Sequence, residues 1–174
     1  MLVAAPASHA QQDGDPFTDG ANNAKIHAAS GFVCPNAIGP FKRDAVGERD
    51  PETGADFCAY SARDGVYGTI TLVPIHGSYD PKALLAPDFE MQENTGGRDA
   101  HEVQMTIAQI PVYTRVYETA KVQSLRYRIL FASAAIGDWA VDATVEYIDP
   151  QSTDAKTQFL DAVYADAQAK IAAH

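Results

Sequence analysis

Basic side chains are scarce in this chain: 13 Lys and Arg stand against 23 Asp and Glu, a formal net charge of −10. A surface of that sign repels phosphate backbones and anionic lipid headgroups, which argues against nucleic-acid and membrane-surface partners. No apolar run approaches the roughly 18 residues that a membrane-spanning helix needs. There is no H-E-x-x-H, no G-x-S-x-G and no glycine-rich phosphate loop, so the signatures of zinc hydrolases, serine hydrolases of the elbow type and nucleotide sites are missing. Internal repeats and low-complexity tracts are absent too. Cysteine is limited to Cys34 and Cys58, whose spacing fits neither a C-x-x-C redox motif nor a zinc knuckle.

A positive signal begins at the N-terminus. Met1–Ala7 is apolar and runs into Ser8-His9-Ala10, a small-x-small tripeptide of the kind signal peptidase cuts after. The apolar run is short and no Lys or Arg precedes it, so the segment reads as the tail of a leader. Residues 1–10 are then a signal-peptide remnant, 11–20 a flexible N-terminus and 21–174 a single domain. The competing reading is an Ala-rich disordered terminus. An exported chain, periplasmic or secreted, meets an oxidising compartment, where two thiols pair unless they are buried or reactive. A Cys34–Cys58 disulfide is therefore expected, with two separate buried thiols as the other reading.

The pattern along the chain predicts a short helix over Asn22–Ala29 closed by Gly31, then a hairpin of Ala37–Val46 and Asp56–Ala62 around a long turn at 47–54. A turn at Arg63-Asp64-Gly65 leads to a third strand, Val66–Pro74, rich in β-branched residues. Asp80-Pro81 opens a helix over Lys82–Ala86 that Pro87 interrupts or restarts, and Asn94-Thr95-Gly96-Gly97 ends that region. Strands follow at His101–Ala108, with Val103, Met105 and Ile107 on one side, and at Val112–Thr119.

Residues 123–147 read as a long hairpin. Leu125, Tyr127, Ile129 and Phe131 alternate on its first strand; Trp139, Val141, Ala143, Val145 and Tyr147 alternate on its second; Ala134–Gly137 supplies the turn. Pairing Phe131 with Trp139 sets Arg128 opposite Asp142, and a slip of two residues sets Arg126 opposite Glu146. A cross-strand charge ladder thus explains two arginines that otherwise suggest an anion clamp. A final helix runs from Asp149-Pro150 to about Ile171, with Phe159, Val163, Ala167 and Ile171 on one stripe.

This order of elements gives an α+β fold: an antiparallel sheet of about six strands covered by helices. The chain resembles the PsbP/Mog1-like superfamily, an α/β/α sandwich. The likeness lies in Gly31-Phe32-Val33-Cys34-Pro35 leading into Ile38-Gly39-Pro40-Phe41-Lys42-Arg43, in Gly65–Pro74, and in Gly137–Thr144 entering the last helix. The resemblance implies a binding or assembly module rather than an enzyme. It carries over no functional residues and does not itself imply the disulfide.

No catalytic set, cofactor motif or metal-ligand set emerges, and the only site residues designated are Cys34 and Cys58. The five histidines are scattered at His9, His27, His76, His101 and His174. Asp13, Asp15 and Asp19 have the start of a calcium-loop spacing, but Pro16-Phe17 occupies the middle. The acidic run Asp80, Asp88, Glu90, Glu93, Asp99 and Glu102 is the best candidate for a partner-facing patch. The expectation is an exported envelope protein, a non-enzymatic module for a protein or small-molecule partner. The alternative is a hydrolase or other enzyme with a dispersed site near His76 and His101, drawing on Glu102 and Tyr113.

Overall fold

The computed structural model describes residues 15–63, 66–122 and 125–173. The leader at 1–10, Asp13, His174 and the Asp64-Gly65 part of the second turn lie outside the described residues. In chain order the elements are β1 (Phe17–Asp19), β2 (Lys25–His27), β3 (Val33–Cys34), β4 (Ala37–Ile38), β5 (Phe41–Asp50), β6 (Ala55–Ser61), β7 (Tyr67–Pro74), α1 (Pro81–Asn94), β8 (Arg98–Ile107), β9 (Ile110–Val122), β10 (Leu125–Ile136), β11 (Trp139–Asp149) and α2 (Thr153–Lys170). The fold is mixed α+β. A three-stranded sheet, β1-β2-β3, accompanies an eight-stranded one in the order β4-β5-β6-β7-β11-β10-β9-β8, with antiparallel neighbours throughout.

The main sheet has more strands than the six expected, partly because the extended segment Ala37–Val46 breaks at Gly39-Pro40. Gly39 takes a left-handed backbone there (φ 54°), which folds β4 back onto β5. The turn after β5 is shorter than the composition of 47–54 suggests. Gly47 and Glu48 pair with Phe57 and Asp56, so β5 runs on to Asp50 and only Pro51–Gly54 turns. That extension places Arg49 on the sheet.

The largest correction concerns the β10–β11 hairpin. Gly137 (φ 57°) and Asp138 form the turn, and Ile136 pairs with Trp139. Phe131 therefore faces Thr144 and Arg128 faces Tyr147, an odd offset from the expected pairing. Because side chains alternate, an odd offset moves every residue of one strand to the other face relative to its partner. Leu130, Ala132, Ala134 and Ile136 join Val141, Ala143 and Val145 on one face; Ile129 and Phe131 lie on the other with Asp142, Thr144 and Glu146. The expected charge ladder does not form, and Arg128 instead reaches Asp149 at 3.1 Å.

The first of these faces packs under α2. The helix starts at Thr153 rather than Pro150 and inserts Phe159, Leu160, Val163, Tyr164, Ala167 and, just beyond its end, Ile171, all buried. Phe159, Leu160, Val163 and Ile171 each contribute roughly 1.5–3 kcal/mol by leaving water. Phe159 lies directly over Gly68, where a Cβ would come within 2.7 Å of its ring.

The helix expected at Asn22–Ala29 is instead a turn and a strand. Asn22 and Asn23 have positive φ (55° and 58°), and Lys25–His27 pairs with β1 on one side and β3 on the other. Long-range pairing outweighs a weak helical pattern. The segment expected to be flexible thus includes β1, whose Phe17 is buried. Pro87 does not interrupt α1, for it points to solvent while Leu85 and Phe89 on either side of it are buried.

Cys34 and Cys58 form a disulfide with Cα atoms 6.3 Å apart. It ties β3 of the small sheet to β6 of the large one, with Cys34 just before the hairpin's first strand and Cys58 within its second; Cys58 itself pairs with Val46 and Ile70. Closing a loop with a sequence separation of 24 constrains the unfolded chain by about 3 kcal/mol in the loop-entropy model. The double variant Cys34→Ala/Cys58→Ala should lose about that much in urea denaturation; an unchanged midpoint would show that the crosslink contributes nothing.

Candidate functional site

The face of the main sheet away from α2 is only half covered. α1 begins at an Asp80 cap, whose carboxylate accepts the backbone N–H groups of Lys82 (3.0 Å) and Ala83 (3.4 Å). It then crosses β9 and β10, sinking Leu85 and Phe89 among Tyr113, Tyr117, Ile129 and Phe131. Phe89 meets Phe131 edge-on at 5.6 Å. The rest of the face, over β6, β7 and β11, has no helix above it. There the strand alternation presents Phe57, Ala59, Tyr67, Thr69 and Thr144 on one surface. The flank of α1, with Met91 and Gln92, walls one side of this surface. The result is an open groove of about 340 Å³. Tyr67 and Met91 are 40% and 57% exposed, so two large apolar side chains of the groove face water.

The polar groups around the groove are ordered by the same register. Arg49 reaches from β5 across the sheet: Nη1 donates to the Thr71 hydroxyl and Nη2 to the Asp88 carboxylate, each at 2.8 Å. Asp142, also on this face, is buried and accepts from the Ser133 hydroxyl, which in turn takes a hydrogen bond of 2.8 Å from the Tyr79 hydroxyl. Burial is the leading cause that pushes the Asp142 carboxyl up to about 7; the Ser133 hydrogen bond works the other way. Glu146 pairs across the strands with Ile129 and is half-buried. Burial alone raises its pKa, and among the described residues it has no ion-pair partner.

The residues suspected from the sequence are not gathered here. His76 is exposed beside a smaller cavity of about 220 Å³ at the start of α1, and no hydrogen bond joins it to Ser78. His101 pairs with Val116 on β9, on the α2 face. Glu102 and Tyr113 meet at a third concavity, of about 290 Å³, on the far side of α1. The four groups of the dispersed-site reading thus occupy three separate places. The acidic run is also broken up. Asp80 caps α1, Asp88 binds Arg49, Glu93 sits 3.1 Å from Arg115 and Glu102 is 2.6 Å from Lys82. Arg49 and Arg115 come from strands outside the 80–102 segment. Of the calcium-like aspartates, Asp15 accepts from Phe17 N–H and Asp19 pairs with Lys25.

A Ser-His-Asp array exists elsewhere. Nδ1 of His27 contacts the Ser30 hydroxyl at 2.7 Å, and Nε2 contacts Asp56 at 2.8 Å. The Ser30 backbone N–H also points at Nδ1, so that nitrogen accepts and the ring is the neutral Nε2–H tautomer. His27 and Ser30 are each 1% exposed, with Phe17 and Trp139 rings against the imidazole. No substrate reaches them. The array fastens the small sheet to β6 and is structural. Burial depresses the His27 pKa. A spacing of 29 residues between His27 and Asp56 left no local signal for it.

No protein-family model matches the chain, and no curated protein is significantly similar to it.

The raised pKa of Asp142 has a signed consequence. Above its ordinary value of 3.8 the unfolded carboxyl ionises while the folded one stays protonated up to about 7. Stability from this group is therefore full at low pH and is lost as pH rises through that window. Asp142→Asn should gain on the order of 4 kcal/mol relative to the native protein between about pH 4 and pH 8, measured by urea denaturation. An equal difference at both pH values would refute the buried neutral carboxyl.

Proposed function

We propose that this protein is a non-enzymatic binding module of the cell envelope, periplasmic or secreted, whose small-molecule ligand lies in the groove between α1 and the bare half of the main sheet. One observation carries the proposal: the sheet face that α1 leaves uncovered presents a largely apolar floor with exposed Tyr67, walled by exposed Met91 of α1, beside a polar edge where Arg49 is fixed to Asp88. Apolar floors with a few fixed polar groups are the usual composition of ligand sites, and about 340 Å³ lies within their normal size range. The groove is preferred to the concavity beyond α1, whose charges already pair with one another through Lys82–Glu102 and Arg115–Glu93.

Export is supported by the Cys34–Cys58 disulfide, since reducing compartments seldom keep one, and by Ser8-His9-Ala10. One helix on each face of an antiparallel sheet supports an α/β/α sandwich of the PsbP/Mog1-like kind. The enzyme alternative has less support, because His76, His101, Glu102 and Tyr113 do not converge.

The groove is tested by a fragment screen with the labelled full chain, read by backbone amide shifts in NMR. Ligands should shift Phe57, Thr69 and Thr144 and should lose at least about tenfold in affinity in Ala59→Trp, whose ring fills the floor. Shifts scattered away from these strands, or affinity unchanged in the variant, would sink the assignment.

A further inference from the structure

We infer that the ligand of this groove is a small organic cation with an apolar or aromatic body, and that Glu146 is its counter-charge. The inference rests on the groove being the binding site and adds the chemistry of its occupant. It begins with register: Glu146 is paired with Ile129, precedes Tyr147 on β11 and follows Thr144 by two on the same face. One residue beyond the last β7–β11 pair, Val145 with Gly68, the same register sets Glu146 beside Tyr67. Thr144, Ile129 and Tyr67 all line the groove, so the register puts Glu146 on the same face immediately beyond that lining, close enough to Tyr67 for its charge to add to burial in raising the phenol's pKa.

The charges do not cancel there. Arg49, the one cation lining the groove among the described residues, already gives its two Nη groups to Thr71 and Asp88. Glu146 has no such partner among the described residues, and it is half-buried beside aromatic surface. A carboxylate kept partly from water without a cation is costly, and a bound ammonium group offsets that cost. The aromatic rings of Phe57 and Tyr67 suit the same occupant, because a ring face attracts a cation while its area covers an apolar body. An anionic ligand meets the opposite situation: a guanidinium already engaged and an unpaired negative group. The net charge of −10 adds long-range attraction for a cation.

The test uses three probes of nearly one shape, 2-phenylethylammonium, 2-phenylethanol and phenylacetate, titrated into the labelled full chain at about pH 8 and followed by NMR. The ammonium should bind about tenfold tighter than the alcohol, with phenylacetate weakest. Glu146→Gln should bring the first two within about twofold while leaving the alcohol's affinity unchanged. If all three bind in the groove without a charge preference, or if Glu146→Gln leaves the preference intact, the cation inference is wrong and the groove stands. If none shifts the groove residues, both readings fall. An amide spectrum of Glu146→Gln that retains native dispersion shows that any loss is not unfolding.

Discussion

The pairing of Ile136 with Trp139 across Gly137-Asp138 is the constraint on which the rest of the molecule depends. It fixes the β10–β11 offset, and the offset decides which residues share a face. Leu130, Ala132, Ala134 and Ile136 meet Val141, Ala143 and Val145 to make the floor for α2. The same choice sends Ile129 and Phe131 to the other side, where they receive Leu85 and Phe89 of α1. A shift by one residue would bring Asp142, Thr144 and Glu146 under α2 and expose the aliphatic row. Moving several aliphatic side chains into water costs roughly 1.5–3 kcal/mol each, far more than any surface ion pair returns.

The groove follows from an imbalance between the two faces. α2 buries Phe159, Leu160, Val163, Tyr164 and Ala167, whereas α1 buries only Leu85 and Phe89. One helix with two anchors covers β9 and β10 and leaves β6, β7 and β11 bare. Its remaining ties are polar: Asp88 to Arg49, Glu93 to Arg115 and Tyr117, Glu102 to Lys82. Arg115 also stacks 4.6 Å from the Phe89 ring and 5.0 Å from that of Tyr117. Exposed pairs of this kind contribute about 0–1 kcal/mol each, so they orient α1 more than they hold it. Two buried anchors set where the groove wall stands.

How legible this was in the sequence depends on the range of the interaction. The α2 stripe Phe159, Val163, Ala167 and Ile171 could be read directly, because a helix repeats its signal every turn, and all four are buried. The strand Val66–Pro74, the Asp80-Pro81 helix start and the Cys34–Cys58 pair were legible for similar local or compositional reasons. The hairpin register departs from the charge-matched expectation, because Gly137-Asp138, a two-residue turn pair, sets it. Matching Arg128 with Asp142 favours an even offset, whereas the apolar row Leu130, Ala132, Ala134 and Ile136 requires the odd one. The site itself was hardly legible. Arg49 looked like part of a turn, and Glu146 like one rung of a charge ladder; only the three-dimensional placement of β5 and β11 makes them neighbours of one groove.

Two buried titratable groups act in opposite directions on the fold that carries the groove. His27 is held neutral, its pKa depressed from 6.5 by burial, so the unfolded chain takes up protons first and stability falls as pH drops below about 6.5. Asp142 is held neutral by burial as well, but its pKa is raised, so stability falls as pH climbs from about 4 towards about 7. Just below pH 6.5, where both groups contribute, the two slopes have opposite sign. Each alone would tilt the stability of one sheet junction: His27 where the small sheet meets β6, Asp142 beneath the Arg49–Thr71 edge of the groove. Glu146, at the groove's end, is then the group near the site whose ionisation matters for its contents rather than for its walls.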